Sequence, residues 1–119
     1  MAAPNLVNVS SVLGKSLGIA LTTNSQDVLT AASDKLLKIN SVICSNIDGT
    51  NDATVNVLIY TGSTSYHIAK LVNVAAGDTV VIVSKDAPIY LEEAYKLQAL
   101  ASASSDIEMV VSYEILDDA

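Results

Sequence analysis

The chain has 119 residues, of which 50% are hydrophobic, and its formal net charge at pH 7 is −7. Its six cationic side chains are all lysines scattered along the chain, which argues against the clustered positive surface that nucleic acids and anionic membranes require. A single cysteine excludes an internal disulfide, and the length is sufficient to bury one core without a metal.

Short stretches of alternating or β-branched residues predict an all-β chain. Trp and Phe are absent, so the core must be built from Val, Ile, Leu and Ala, which suit pleated strands. The predicted strands are residues 15–22, 26–31, 36–46, 53–60, 65–74, 79–84, 89–91, 96–102 and 107–115. This regular spacing predicts a single antiparallel β-sandwich, jelly-roll-like, over residues 15–119.

The first stretch, residues 1–14, is small, polar and aperiodic, and it is predicted to form an extended N-terminal arm. It has no basic residue and no apolar block of signal-peptide length, so the chain is expected to fold in a cytoplasm. The apolar side chains that would let the arm lie along a neighbouring subunit are Leu6, Val7, Val9, Val12 and Leu13.

The run 36–46 carries apolar side chains on both faces. Leu37, Ile39 and Ile43 alternate with polar residues, and Val42 and Cys44 then place apolar groups on the other face too. This pattern predicts a central strand or a β-bulge. Cys44 is predicted to be a small buried hydrophobe.

Two loops are predicted to close hairpins. The loop 47–52 contains Asp-Gly, which offers the positive φ that a hairpin turn needs. The small polar loop 102–106 joins the last two alternating runs and predicts a closing hairpin between them. Residues 91–97 are predicted to bend between strands rather than to form a helical turn.

Residues 14–18, Gly-Lys-Ser-Leu-Gly, match the G-x-S-x-G motif of serine hydrolases. That motif needs a strand before the serine and a helix after it, whereas here a polar arm precedes the serine and a strand follows it. The only histidine, His67, is expected to be exposed or to lie at an interface, because one histidine does not form a zinc site alone. We therefore predict no catalytic residue.

The loop 47–52 also carries oxygen ligands that could hold calcium, on Asp48, Asn51 and Asp52. The spacing of an EF-hand is absent, and turn formation by Asx residues explains the same loop without a metal. The sequence therefore predicts neither a metal nor a cofactor, with weak calcium binding as the lesser alternative.

The chain is apolar for a small β domain, with a mean hydropathy of +0.43 and 16% charged residues. Apolar surface that one domain leaves exposed usually marks an interface, so assembly with copies of itself or with a larger structure is expected. Tyrosine is favoured at interfaces. The tyrosines predicted to make such contacts are Tyr66, Tyr90 and Tyr95.

Six short turn and strand segments over residues 35–117 carry a resemblance to a known family. They are Ile47-Asp48-Gly49-Thr50, Ala53-Thr54-Val55-Asn56-Val57, Ser65-Tyr66-His67-Ile68-Ala69-Lys70, Ala76-Gly77-Asp78-Thr79, Pro88-Ile89-Tyr90-Leu91-Glu92-Glu93 and Ser112-Tyr113-Glu114. In these patterns the chain resembles a family of small virion structural proteins of tailed bacteriophages, notably those infecting cyanobacteria and other aquatic bacteria. In that family Gly-Asp commonly follows Glu93. Here Ala94-Tyr95 follows it, which predicts a different turn geometry.

The resemblance implies a β-sandwich virion component without enzymatic activity, assembled in the host cytoplasm. The leading expectation is a capsid decoration (cement) protein that binds major capsid subunits and forms a homo-oligomer such as a trimer. Its negative charge would then face solvent, away from the DNA. The alternatives are a neck, tail or fibre-attachment component, or a carbohydrate-binding module for host adhesion that would depend on tyrosine.

Overall fold

The computed structural model describes residues 11–117, which form two antiparallel sheets around one core. The strands are β1 (Ser11–Ala20), β2 (Gln26–Thr30), β3 (Lys35–Asn46), β4 (Ala53–Tyr60), β5 (Ser65–Val74), β6 (Thr79–Val83), β7 (Ile89–Leu91), β8 (Lys96–Ala101) and β9 (Ile107–Asp117). The first sheet has the order β1-β9-β3-β6, with β7 also paired to β3, and the second has the order β2-β8-β4-β5. This is the predicted β-sandwich, and its strand order is typical of a jelly roll. No helix within residues 11–117 is long and apolar enough to cross a membrane.

The core lies between the two sheets and follows the period-two pattern of the strands. In β8, and in β9 as far as Val111, every second side chain is buried, including Leu97 and Met109, and the intervening side chains are more exposed. No aromatic ring is among the buried residues of the described chain. The sandwich is therefore held by aliphatic packing, in which each fully buried side chain contributes about 1.5–3 kcal/mol.

The predicted bulge in β3 is confirmed. The pairing of β3 with β9 shifts register between Ile39 and Ser41, so Asn40 is the extra residue. Beyond it, Val42 and Cys44 point into the core and are fully buried. The bulge thus explains why Val42 and Cys44 share the inner face with Leu37 and Ile39, although they have the opposite parity in the sequence.

Strand β1 begins at Ser11, whereas the sequence predicts its start at residue 15. Val12 lies opposite Leu116 and Gly14 lies opposite Glu114, both on β9. The last part of the predicted arm therefore belongs to the first sheet. The rest of it, residues 1–10, lies outside the described residues, and with it the predicted contacts Leu6, Val7 and Val9.

The two predicted hairpins are wrong. Strands β3 and β4 belong to different sheets, as do β8 and β9, so the loops 47–52 and 102–106 both cross between the sheets. The loops lie side by side, since the Ile47 N–H donates a hydrogen bond of 2.8 Å to the Asp106 carbonyl oxygen. Gly49 does not adopt the expected positive φ, whereas Gly62 does so in the hairpin that joins β4 to β5.

One buried polar side chain, Asn46, holds the loops at this end of the sandwich. Its Nδ2 donates hydrogen bonds of 2.9 Å to the carbonyl oxygens of Asn51 and Val74. Its Oδ1 accepts a hydrogen bond of 2.9 Å from the Asp48 N–H. The Asn46 side chain therefore joins the main chain of the loop 47–52 to the end of β5 through three hydrogen bonds.

The turn after Glu93 contains Ala94 at a φ of 71°. This is the left-handed conformation that glycine adopts freely and that places an L side chain under strain of about 1–2 kcal/mol. Residues 92–95 form a tight turn, in which the Tyr95 N–H donates to the Glu92 carbonyl oxygen at 2.9 Å. The bend predicted for residues 91–97 is confirmed, and the conformation at Ala94 is one that suits glycine.

We expect Ala94→Gly to raise the free energy of unfolding by about 1 kcal/mol, because it removes the left-handed strain at an exposed position. Chemical denaturation with an unchanged slope measures the effect. The matched control is Ala103→Gly in another loop, where φ is not positive and the added chain entropy should lower stability by about 0.5–1 kcal/mol. Equal shifts of the same sign for both variants would contradict the assignment of strain.

Candidate assembly surfaces

The G-x-S-x-G stretch lies inside strand β1. Ser16 is opposite Ser112 in the regular β1–β9 ladder, with strand on both sides of it rather than a strand-to-helix turn. His67, the one possible base, lies on β5 in the other sheet. The serine is thus neither strained nor placed beside a base, so the arrangement offers no nucleophile.

Cys44 and His67 do not come together. Cys44 is fully buried on the inner face of β3, and burial raises the pKa of its thiol to about 12. His67 is exposed on β5. Within residues 11–117, no three His, Cys, Asp or Glu side chains are grouped in a way that could hold a metal ion.

The carboxylates of the loop 47–52 bind main-chain groups. Asp48 Oδ1 accepts hydrogen bonds from the N–H groups of Thr50 and Asn51, which lower the pKa of the Asp48 carboxyl below its ordinary value. Asp52 Oδ1 accepts a hydrogen bond from the Ala76 N–H at 3.0 Å. These carboxylates shape turns, as the Asx pattern predicts.

The outer face of the first sheet carries a row of apolar positions that crosses four strands. Gly18 on β1 lies opposite Val110 on β9, which lies opposite Ile43 on β3. Ile43 in turn lies opposite Val81 on β6. Directly opposed residues of antiparallel strands point to the same face, so these four form one continuous set, here called the apolar row.

The apolar row is exposed and has polar neighbours. Val110 is 48% exposed and Val81 is 58% exposed, although each lies within a strand. The polar residues on the same face, one register step away on either side, are Ser16, Ser41, Ser112, Glu108, Ser45 and Thr79. An apolar centre with a polar rim is the arrangement of a protein–protein interface.

A pocket of about 250 Å³ lies at the β1 end of the apolar row. Its lining includes the outward-facing positions Gly18, Ala20, Glu108 and Val110. No atom lies within 4 Å of the position that a Cβ on Gly18 would occupy. Two small residues on β1 therefore leave a recess beside the exposed Val110, sized for an aliphatic side chain.

The predicted tyrosine contacts are spread over the molecule. Tyr66 on β5 is 58% exposed and Tyr90 on β7 is 40% exposed, but they belong to different sheets. Tyr95 is half-buried and packs against the core beside the turn that follows β7. Val12 and Leu13 lie together near the start of β1, and both are more than half exposed. The structure therefore does not gather the predicted contacts into one patch.

No protein-family model matches the chain, and no curated protein matches it. Among solved structures, it resembles a subunit of the disulfide-linked pili that form Bacillus endospore appendages, at 13% identity and a TM-score of 0.47, over 90% of this chain and 89% of that chain. It also resembles a pentameric capsid protein isolated from metagenomic phage sequences, in two structures at 14% identity with TM-scores of 0.44 and 0.41. Those two alignments cover 98% of this chain and 67% and 66% of the other chains. Because the identities and TM-scores are this low, no function is transferred to this chain from these solved structures.

The valines of the apolar row are not among the contacts predicted above, although the sequence contains signals for them. Val110 interrupts the polar face of β9, between Glu108 and Ser112, and Val81 lies in a run that is apolar on both faces. An apolar residue on the face that alternation assigns to solvent is the signal of a second, outer contact surface.

Proposed function

We propose that this chain is a non-enzymatic structural protein of a phage virion, and more specifically a capsid decoration (cement) protein that binds major capsid subunits. The observation that supports it is the apolar row on the outer face of the first sheet. Two exposed valines on paired strands, with a polar rim, make a surface for a protein partner. The resemblance of residues 35–117 to virion proteins of tailed phages supplies the kind of partner.

The energetics favour attachment by aliphatic burial. Covering Val110 and Val81 would contribute about 1.5–3 kcal/mol for each side chain. Hydroxyl groups on the flanking serines and Thr79 would satisfy polar groups at the rim. The net charge of −7 disfavours contact with DNA, so the domain would lie on the outer surface of the head.

The predicted arm belongs to the same proposal. Its first ten residues, with Leu6, Val7 and Val9, would extend the contact to a neighbouring subunit. Val12 and Leu13 would contribute to the contact from the start of β1, within the sandwich. Within this proposal the protein resides in the virion and assembles as a homo-oligomer. The sequence-based prediction is a trimer, and the two-fold pairing proposed below is the alternative to it.

A carbohydrate-binding adhesion module is a weaker alternative. Jelly rolls also serve as lectins, and such modules stack sugars on aromatic side chains. The two exposed tyrosines, Tyr66 and Tyr90, lie on different sheets and do not form a joint aromatic platform. A neck, tail or fibre-attachment component uses the same kind of apolar surface and differs from cement in copy number.

The experiment that tests the proposal is quantitative mass spectrometry of purified virions, with the major capsid protein as the internal standard. We expect about one copy for each capsid subunit, or about one for every three, since cement proteins follow the symmetry of the shell. A ratio far below that would assign the protein to the neck, tail or fibres. Absence from particles would overturn the virion role.

A further inference from the structure

Strand β1 presents a long, regular and unpaired edge. It pairs with β9 over all ten residues without a register shift. β1 is the edge strand of the first sheet, and no other strand within residues 11–117 pairs with its free side. It contains no proline, and Lys15 is its one charged residue. Such an edge exposes main-chain N–H and C=O groups that can pair with another strand.

The other sheet edges are less able to accept a strand. Strand β2 has five residues and a register shift at Val28, strand β6 has five residues and strand β7 has three. Strand β5 is long, but its pairing with β4 shifts twice and Leu71 has a positive φ of 52°. Short length and irregularity are the devices that block edge-to-edge pairing. Among the edge strands described, only β1 is both long and regular.

We propose that two copies of this chain pair through their β1 edges, antiparallel and two-fold symmetric about Ser16. A two-fold axis perpendicular to the sheet keeps each face on the same side, so it must pass through a residue position rather than between two residues. The axis at Ser16 places Leu13 of one copy opposite Ile19 of the other. It also places Gly14 opposite Gly18.

Electrostatics exclude one neighbouring register. An axis at Lys15 would place the two ammonium groups directly opposite each other, which is destabilising. With the axis at Ser16, Lys15 of one copy lies opposite Leu17 of the other, and no like charges are opposed.

The pocket beside Gly18 supports the same register and identifies the occupant as a second copy. With the axis at Ser16, Val12 of one copy lies opposite Ala20 of the other and diagonal to Gly18. Val12 is 56% exposed, and the pocket at Gly18 and Ala20 is sized for an aliphatic side chain. Two-fold symmetry makes this contact twice. An axis at Leu17 would shift Val12 past Ala20 and leave the pocket empty.

The pairing has a consequence for assembly. Both copies keep the outer face of the first sheet on the same side, so the pair presents two apolar rows to one partner surface. Two linked contacts bind more tightly than either alone, because the second forms at a high effective concentration. The pairing itself is independent of the proposed virion role.

Cross-linking of the full chain tests the register directly. In Ser16→Cys the two thiols of a pair would lie on opposed residues about 4.5–5.5 Å apart at Cα, which fits a disulfide. The matched control is Ser112→Cys on the same face of β9, where symmetry places the two residues about 14 Å apart, three strand spacings. Cys44 is buried with a pKa raised to about 12, so it does not compete.

Under mild oxidation we expect about tenfold more disulfide-linked dimer from Ser16→Cys than from Ser112→Cys. The native mass, measured by sedimentation without oxidant, should be that of a dimer. Equal cross-linking of the two variants would overturn the pairing. A trimeric mass without cross-linking through position 16 would overturn it as well.

Two variants of opposite charge at Val12 test the pocket contact. In the proposed register, residue 12 of one copy lies two strands from Glu108 of the other, on the same face. Val12→Glu should therefore weaken dimerisation about tenfold, whereas Val12→Lys should change it by less than about threefold. Both variants lose the same aliphatic contact with Leu116 in their own chain. Equal weakening by the two variants would contradict the register.

Discussion

Replacing Asn46 with alanine is expected to lower the free energy of unfolding by about 3 kcal/mol, although no apolar side chain is removed. Asn46 is 2% exposed, and it is the one polar residue buried among those described. Its side chain makes three hydrogen bonds of 2.9 Å to main-chain groups. Each bond is worth about 1 kcal/mol, and buried partners left unpaired cost more.

The loss would be concentrated where the loop 47–52 meets the end of β5. The carbonyl oxygens of Asn51 and Val74 would each lose a donor, and the Asp48 N–H would lose its acceptor. The main chain of Asn46 also holds this region, since its N–H donates to the Asp78 carbonyl oxygen at 2.9 Å. That bond survives the substitution, so the ends of β3 and β6 should remain paired while the loop 47–52 loosens.

Urea denaturation of the two variants Asn46→Ala and Asn73→Ala measures the effect. Asn73 is an exposed asparagine on β5 whose side chain donates a 3.3 Å hydrogen bond to Asp52, so its loss should cost less than about 1 kcal/mol. Hydrogen exchange should show faster exchange at Asp48 in the Asn46 variant. Equal stability of the two variants would show that the Asn46 network adds nothing to folding.

The strands and the core were accessible from the sequence because they depend on local pattern. The period-two burial of β8, and of β9 as far as Val111, appears in the sequence as alternation of apolar residues. The β3 bulge appears as apolar residues on both faces of one run. Asn46 was not accessible in this way. An asparagine at the end of a strand looks like an ordinary turn residue until the end of β5, at Val74, is brought beside it.

Strand pairing was not accessible, since it is set by contacts between distant parts of the chain. Two alternating runs joined by a short polar loop fit a hairpin and a crossing between sheets equally well. In the fold, β8 lies between β2 and β4, and β9 lies between β1 and β3. Each of the last two strands therefore has strands from the first half of the chain on both sides, in its own sheet. No pattern within residues 96–115 records that pairing.

The candidate surface was predicted in kind but not in place. Apolar composition indicates that the chain has a partner surface, and tyrosine frequency at interfaces favours Tyr66, Tyr90 and Tyr95. The two valines of the apolar row are joined into one surface only when register aligns β9, β3 and β6. Alignment across strands, rather than residue type, defines this surface.

The second large effect is expected at the apolar row. The double substitution Val81→Glu and Val110→Glu should reduce binding to phage particles that lack the protein by at least about 100-fold. Burial of two valines is worth about 3 kcal/mol or more, and two carboxylates would have to be desolvated in their place. Both positions are about half exposed, so the fold should keep its stability.

The measurement is the number of copies bound per particle as the concentration of purified protein is raised, with stability checked by denaturation. The matched control is Ile47→Glu with Leu71→Glu, which adds the same charge at two exposed apolar residues outside the apolar row. Val81→Glu alone separates this surface from self-pairing, because β6 lies at the opposite edge of the first sheet from β1. Undiminished binding by the Val81 and Val110 variant would move the contact to another face. Equal loss in the control pair would mean that net charge, rather than the apolar row, governs attachment.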